Sequence, residues 1–159
     1  MKILIVSDTH KSHKNLERVL EENKDIDMLI HLGDVEGAED YIEALAGCSV
    51  HIVSGNNDFF SDLPFEEEFM IGGHHVFITH GHYYGIVIGE ERLAQEARER
   101  GADIVMYGHT HRPFFKEENG LVVLNPGSIA YPRQLGREPS YMIMEVDEED
   151  RTHFYLKYV

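Results

Sequence analysis

The feature that most constrains this chain is a series of short, continuous apolar runs, each of which stops at a polar residue with metal-binding or acid–base chemistry. Ile3–Val6, Met28–Leu32 and Val50–Val53 are too short for helices and too uniformly apolar for strands wetted on one face. They predict strands buried on both faces. Between the first two, Leu16, Val19 and Leu20 recur at helical spacing among charges, with Ser12 placed to cap the helix. Between the second and third, Asp40–Ala46 reads as a short helix ended by Gly47. A β-α-β-α-β order predicts three parallel strands.

Further along the pattern changes. Glu68–Ile71 and His75–Thr79 flank Gly72-Gly73 as a hairpin should. Ile88–Arg100 reads as a helix with Leu93 and Ala97 facing inward. Ile104–Tyr107 is another buried strand, and Pro113–Lys116, Leu121–Leu124, Tyr141–Val146 and His153–Tyr158 are strands separated by turn clusters. An α/β half followed by a β-rich half predicts an α/β fold of two packed sheets flanked by helices.

Length and charge narrow the function. A chain of 159 residues without repeats, low-complexity tracts or linkers suits a single domain, 1–159, that buries its own core. The lone cysteine, Cys48, excludes an intramolecular disulfide framework and a multi-cysteine metal site. Against 29 Asp and Glu stand 14 Lys and Arg, a formal charge of −15. Such a surface repels phosphate backbones and anionic membranes, so extended nucleic-acid binding and a membrane partner are not expected. A small phosphorylated substrate stays open, because bound metal reverses the local sign. The N-terminus MKILIVSDTHKSH turns polar too soon for a signal peptide, which points to a soluble, cytoplasmic protein.

The 11 histidines carry the chemistry. The first run ends in Ser7-Asp8-Thr9-His10, where i and i+2 on an extended strand point the same way. The second ends in His31-Leu32-Gly33-Asp34 and the third in Gly55-Asn56-Asn57-Asp58. Thr79-His80-Gly81-His82 ends the hairpin, and Gly108-His109-Thr110-His111 follows the next buried strand. Each motif alone is most simply a loop. Together they place Asp8, His10, Asp34, Asn56, His80, His109 and His111 at the carboxyl ends of strands, where open α/β sheets bind ligands. Unpaired, such a cluster is costly. Carboxylate, imidazole and amide donors suit two divalent transition-metal ions, Mn, Fe, Co, Ni or Zn, and argue against calcium. Seven donors exceed one tetrahedral site and fit two metals sharing a carboxylate, ~3.5–4 Å apart.

These motifs, followed by Asn125-Pro126-Gly127-Ser128, resemble in order and spacing the calcineurin-like metallophosphoesterases, in particular the small single-domain phosphodiesterases of bacteria and archaea. The resemblance runs from Met1 to about Val146. It implies a four-layer αββα sandwich of two mixed sheets flanked by helices. It also implies that Asp8, His10 and His111 hold one metal, that Asn56, His80 and His109 hold the other, and that Asp34 bridges them. Manganese heads the implied metals. A metal-bridging hydroxide would attack a small-molecule phosphodiester, with Asn56 also touching a phosphate oxygen.

Two positions depart from the family pattern. Gly37 and Asn57 stand where much of the superfamily has an aspartate and a histidine that assist the leaving group. His82, titrating near neutrality, is the substitute acid. His13, His31, His51, His74, His75 and His153 read as core or surface histidines. Phe59-Phe60, Leu63, Phe65 and Tyr83-Tyr84 follow site loops and read as satellite packing, with a substrate wall or a homodimer contact as the alternative. Arg133 is a candidate for a distal phosphate, and Asn125–Ser128 for a structural loop against the site. The competing function is a protein-interaction scaffold of the same fold, as in the retromer subunit of eukaryotes. That reading requires lost ligands, and none is missing here.

Overall fold

The computed structural model describes residues 1–159. The element order is β1 (Lys2–Val6), α1 (Lys14–Glu22), β2 (Met28–His31), α2 (Glu39–Ala46), β3 (Ser49–Ile52), β4 (Glu66–Ile71), β5 (His74–Thr79), a 3₁₀ turn at His82–Tyr84, α3 (Glu91–Glu99), β6 (Ile104–Met106), β7 (Pro113–Glu118), β8 (Leu121–Pro126), β9 (Ser140–Val146) and β10 (Thr152–Tyr158). No helix is long and apolar enough to cross a membrane.

The strands form two five-stranded sheets, β10-β9-β1-β2-β3 and β4-β5-β6-β8-β7. The parity of each buried strand decides the layers. Ile3 and Ile5 of β1 point into the space between the sheets, against Ile78 of β5, Ile104 and Met106 of β6, and Met142 and Met144 of β9. Leu4 and Val6 point the other way, onto Leu16 and Val19 of α1 and Ile42 of α2. In the second sheet Val105 and Tyr107 meet Leu93 and Ala97 of α3. Because β1 and β6 are apolar on both faces, helices must cover both outer surfaces, and the result is a four-layer αββα sandwich.

β1, β2 and β3 are parallel, in the register Ile3↔Met28 and Met28↔Ser49. In the second sheet β5, β6 and β8 are parallel too. Parallel strands bring their carboxyl ends to one edge of each sheet. β9 and β10 return to the first sheet, β9 antiparallel to β1, so the β-rich half supplies the whole second sheet and two strands of the first as well.

Local chemistry accounts for most boundaries. Gly47 ends α2 in the left-handed conformation, φ 63°. Ser12 does not cap α1: the cap position is His13, without a side-chain bond. The Ser12 backbone N–H instead donates to Thr9 O at 2.8 Å, closing the turn that carries His10. α3, the helix of the β-rich half, starts at Glu91, not Ile88. Ile88 sits in a preceding turn with its backbone N–H on Gly85 O.

Candidate metal centre

The loops after β1, β2, β3, β5 and β6 meet at the shared carboxyl edge. Backbone bonds continue past the strands, from Asp8 N to Gly33 O at 3.1 Å and from His10 N to Asp34 O at 3.0 Å. The chain then bends sharply. Asp8, His10, Asp34, His109 and His111 all have positive φ, between 44° and 66°, a region that non-glycine residues seldom occupy and that concentrates at functional sites. The side chains therefore converge through left-handed backbone, and not through the i, i+2 alternation of an extended strand.

The seven donors fall into two groups around Asp34. His111 Nε2 lies 3.2 Å from Asp8 Oδ1 and 3.3 Å from His10 Nε2. On the other side, Asn56 Oδ1 lies 3.0 Å from His80 Nε2 and 2.8 Å from His109 Nδ1. Asp34 Oδ2 stands between the groups, 3.5 Å from His10 Nε2 and 3.5 Å from His80 Nε2. Asp8, Asp34, His80 and His111 are buried. Donor atoms of Asp8, His10, Asp34 and His111 all lie within 4.8 Å of one another.

Proton bookkeeping shows what these groups fit. His80 Nδ1 lies 2.6 Å from Leu32 O, and His111 Nδ1 lies 2.6 Å from Tyr131 O. A carbonyl can only accept, so each Nδ1 carries a proton, and in its neutral form each ring turns a lone pair on Nε2 toward the centre. His10 Nδ1 is held the same way by Glu36 Oε1 at 2.6 Å. The short contacts from His80 to Asn56 and from His10 to His111 therefore set acceptor against acceptor. Both carboxylate oxygens of buried Asp8 lack a hydrogen-bond partner. Cations resolve every one of these confrontations, and imidazoles oriented by a carbonyl or carboxylate are the usual form of a metal ligand.

Asp8 and His111 act on each other: burial opposes protonation of His111, but the facing Asp8 outweighs it and raises the imidazole above its ordinary range. Burial pushes the Asp8 carboxyl up, but the facing His111 and His80 outweigh it and bring it down to about 2. Burial together with the neighbouring His80 holds His109 below the ordinary imidazole range, leaving it neutral. His82 sits beside the second group, its ring 5.4 Å from that of His80 and 6.1 Å from that of His109. Its buried Nδ1 has no partner. Burial, then His80 and His109, push its pKa down to about 4, below the near-neutral titration expected from the sequence.

The loops are locked by residues to which the sequence assigns no role. Asp58 accepts from Asp34 N at 2.8 Å, Gly55 N at 2.7 Å and Glu36 N at 2.6 Å, tying the β2 and β3 loops together. Asn57 donates its backbone N–H to Asp34 Oδ1 and its Nδ2–H to Asp34 Oδ2, both at 2.8 Å. Those bonds use two of the roughly four lone-pair directions of the carboxylate and leave the others for cations. Gly55 permits the close approach: a Cβ there would lie 2.1 Å from Asp34 Oδ1. The Asn125–Ser128 loop does buttress the site. Asn125 Nδ2 donates to Gly108 O at 2.8 Å and Ser128 Oγ to Asp8 O at 2.9 Å. Gly55, Asn57 and Asp58 all lie within the Gly55-Asn56-Asn57-Asp58 motif, which could have pointed to them. Glu36 and the Tyr131 carbonyl carry no sequence signal.

The remaining candidates lie apart from the cluster or at its rim. His31 is buried, its Nε2 on Thr9 Oγ1 at 3.1 Å and its Nδ1 accepting from Gly33 N. His51, His75 and His153 pair with Glu67, Glu68 and Asp147, His74 reaches the Asp150 backbone, and His13 packs near Tyr41. Where the superfamily pattern has its aspartate and histidine, Gly37 and Asn57 border a groove of ≈ 340 Å³ with Phe59 and Phe60 at its lip. Tyr83 is exposed, edge-on to Phe65.

The family model described as the calcineurin-like phosphoesterase superfamily domain matches residues 1–149, and the chain belongs to this superfamily. It is 34% identical over 157 residues to "Probable metallophosphoesterase YsnB" of Bacillus subtilis, covering 98% of this chain and 90% of the relative. It is 30% identical over 145 residues to "Phosphodiesterase MJ0936" of Methanocaldococcus jannaschii, covering 80% and 83%. The crystal structure of Entamoeba histolytica Vps29 complexed with Zn²⁺ superposes with a TM-score of 0.79 at 27% identity, covering 99% of each chain.

Proposed function

We propose that this protein is a two-metal phosphodiesterase acting on a small-molecule phosphodiester. The observation that carries the reading is the acceptor-only cluster divided in two by Asp34 Oδ2. Asp8, His10 and His111 would hold one divalent ion, Asn56, His80 and His109 the second, and Asp34 both. When bound, such a pair supplies an acidified water for in-line attack on phosphorus and positive charge for the developing oxyanions. Manganese, with nickel, iron, cobalt or zinc as alternatives, matches the mixed oxygen and nitrogen donors.

The chain's own residues prepare the site. Glu36, Leu32 and Tyr131 hold the three imidazoles with their Nε2 lone pairs inward. Asn57 fixes the plane of Asp34. Asn56, fixed between His80 and His109, can also meet a phosphate oxygen. Neutral at pH 7, His82 offers an N–H to the leaving-group side as a hydrogen-bond donor.

The scaffold reading is weaker, because every ligand the resemblance requires is present, and at Asp8, between His10 and His111 and between His80 and Asn56 the acceptors stand unpaired or opposed. The test is hydrolysis of bis-(p-nitrophenyl) phosphate and of an alkyl phosphodiester after loading with Mn²⁺. Asp34→Asn should abolish turnover and weaken binding of both ions, whereas His111→Ala should chiefly weaken one. Wild-type protein that takes up no Mn²⁺, Ni²⁺ or Zn²⁺ by elemental analysis would sink the reading. His82→Ala should cost about 10-fold on the alkyl ester, as loss of a neutral hydrogen-bond donor does, and less on the nitrophenyl ester, whose leaving group needs no assistance. Equal losses would reduce His82 to a packing role.

A further inference from the structure

The cations of this acidic chain are not distributed at random. Of its eight arginines, Arg18, Arg100 and Arg151 are in ion pairs. Arg98 donates to the Glu118 backbone, and Arg92 lies over the Tyr84 ring. Arg112, Arg133 and Arg137 alone have no partner for their guanidinium groups, in a molecule with 29 carboxylate side chains. All three stand beside the metal centre. Arg133 and Arg137 border an open groove of ≈ 820 Å³ that runs up to His10 and His111. Arg112 and Arg133 border a second groove, of ≈ 470 Å³, that runs up to His109.

Arg133 is therefore common to both approaches, one on each side of Asp34. Its backbone N–H donates to His111 O at 2.9 Å, which ties its position to a candidate ligand. The second groove is also walled by Val87 and Ile88, which are largely exposed at 75% and 97%. Three unpaired guanidinium groups beside a site for a phosphorus centre, with apolar wall between, form a receptor for an organic group that ends in an anion. Guanidinium is the side chain suited to phosphate, since its planar fork bonds two oxygens at once.

We propose that Arg112, Arg133 and Arg137 form a distal phosphate subsite, and that the substrates are phosphodiesters carrying a further phosphate on one arm. This rests on the phosphodiesterase reading and deepens it. The proposal also accounts for how so acidic a protein admits a polyanionic substrate: the repulsive field is locally reversed along the two grooves that the arginines border.

The test compares thymidine 5′-(p-nitrophenyl phosphate) with the same ester bearing a 3′-phosphate, both on Mn²⁺-loaded protein. The 3′-phosphate should lower KM by about 10-fold, with kcat little changed, as an exposed charge-assisted contact does. That advantage should shrink with salt and vanish in the triple variant Arg112→Ala/Arg133→Ala/Arg137→Ala. Arg151→Ala, which removes a distant positive charge, should keep it. A second arm needs no turnover. In metal-free protein, thymidine 3′,5′-bisphosphate should bind more tightly than thymidine 5′-monophosphate by calorimetry, and the triple variant should bind both alike. Equal KM for the two esters, or an equal loss in Arg151→Ala, would overturn the subsite while leaving the phosphodiesterase reading intact. If neither ester is hydrolysed, that reading fails, and the calorimetric arm alone decides the subsite: tighter bisphosphate binding supports it, and equal binding overturns it.

Discussion

At the scale of single residues, Asn57 and His31 show how a centre can depend on groups that do not enter it. Asn57 holds Asp34 by two bonds, of which the side chain makes one. Asn57→Ala should lower the affinity for the divalent pair by roughly 10–100-fold, the usual cost of losing an outer hydrogen bond to a ligand; an unchanged Mn²⁺ titration would refute the clamp. His31 is buried and held neutral, with burial pushing its pKa from 6.5 down to about 3. The unfolded chain takes up this proton first as pH falls. Stability linked to His31 is therefore complete above pH 6.5 and declines below it, with a limiting slope of about 1.4 kcal/mol per pH unit down to the folded-state value. Urea denaturation of metal-free protein at pH 7 and pH 5 should show that decline, reduced in His31→Asn. These roles could not be read from the sequence. A histidine inside an apolar run looks the same whether it ligates or merely supports, and Asn57 was noticed only as a departure from a pattern. The donors themselves were legible, because each closes an apolar run. The left-handed backbone that aims them was not, because Asp and His carry no preference strong enough to announce it.

The same contrast holds for elements. Buried strands declared themselves through uninterrupted apolar runs, and the parallel order of β1, β2 and β3 followed from the intervening helices. The return of β9 and β10 to the first sheet had no local signature, since any strand after a long loop can join either edge. Loops were harder still, and two glycines separate their roles. At Gly55 an added Cβ would collide with Asp34, so Gly55→Ala should displace the β2 loop and cost most of the metal affinity. Gly37 also has positive φ, 83°, but open space around its missing Cβ. Gly37→Ala should destabilise by about 1 kcal/mol through backbone strain alone and leave metal binding within a few-fold. Thermal melts with and without Mn²⁺ distinguish the two outcomes, and a Gly55→Ala protein that binds metal normally would contradict the close-approach argument.

For the whole molecule, the centre lies across the seam between the two sheets, with Asp8, His10, Asp34 and Asn56 from one and His80, His109 and His111 from the other. Divalent ions should therefore raise the stability of the folded state, by about 2.7 kcal/mol when their concentration is a hundredfold above Kd. A melting temperature indifferent to Mn²⁺ would mean that the ions, if bound, touch only one sheet. The seam also has a consequence in time. His10 and His111 are 101 residues apart in the chain, and bringing such distant segments together is the slow part of folding. During refolding the strands of each sheet can pair before the two edges are aligned, so a place for the metals exists only at the end. Metal uptake, followed by a fluorescent chelator as the chain refolds, should coincide with the last kinetic phase, so that the ions seal a structure whose assembly they cannot begin.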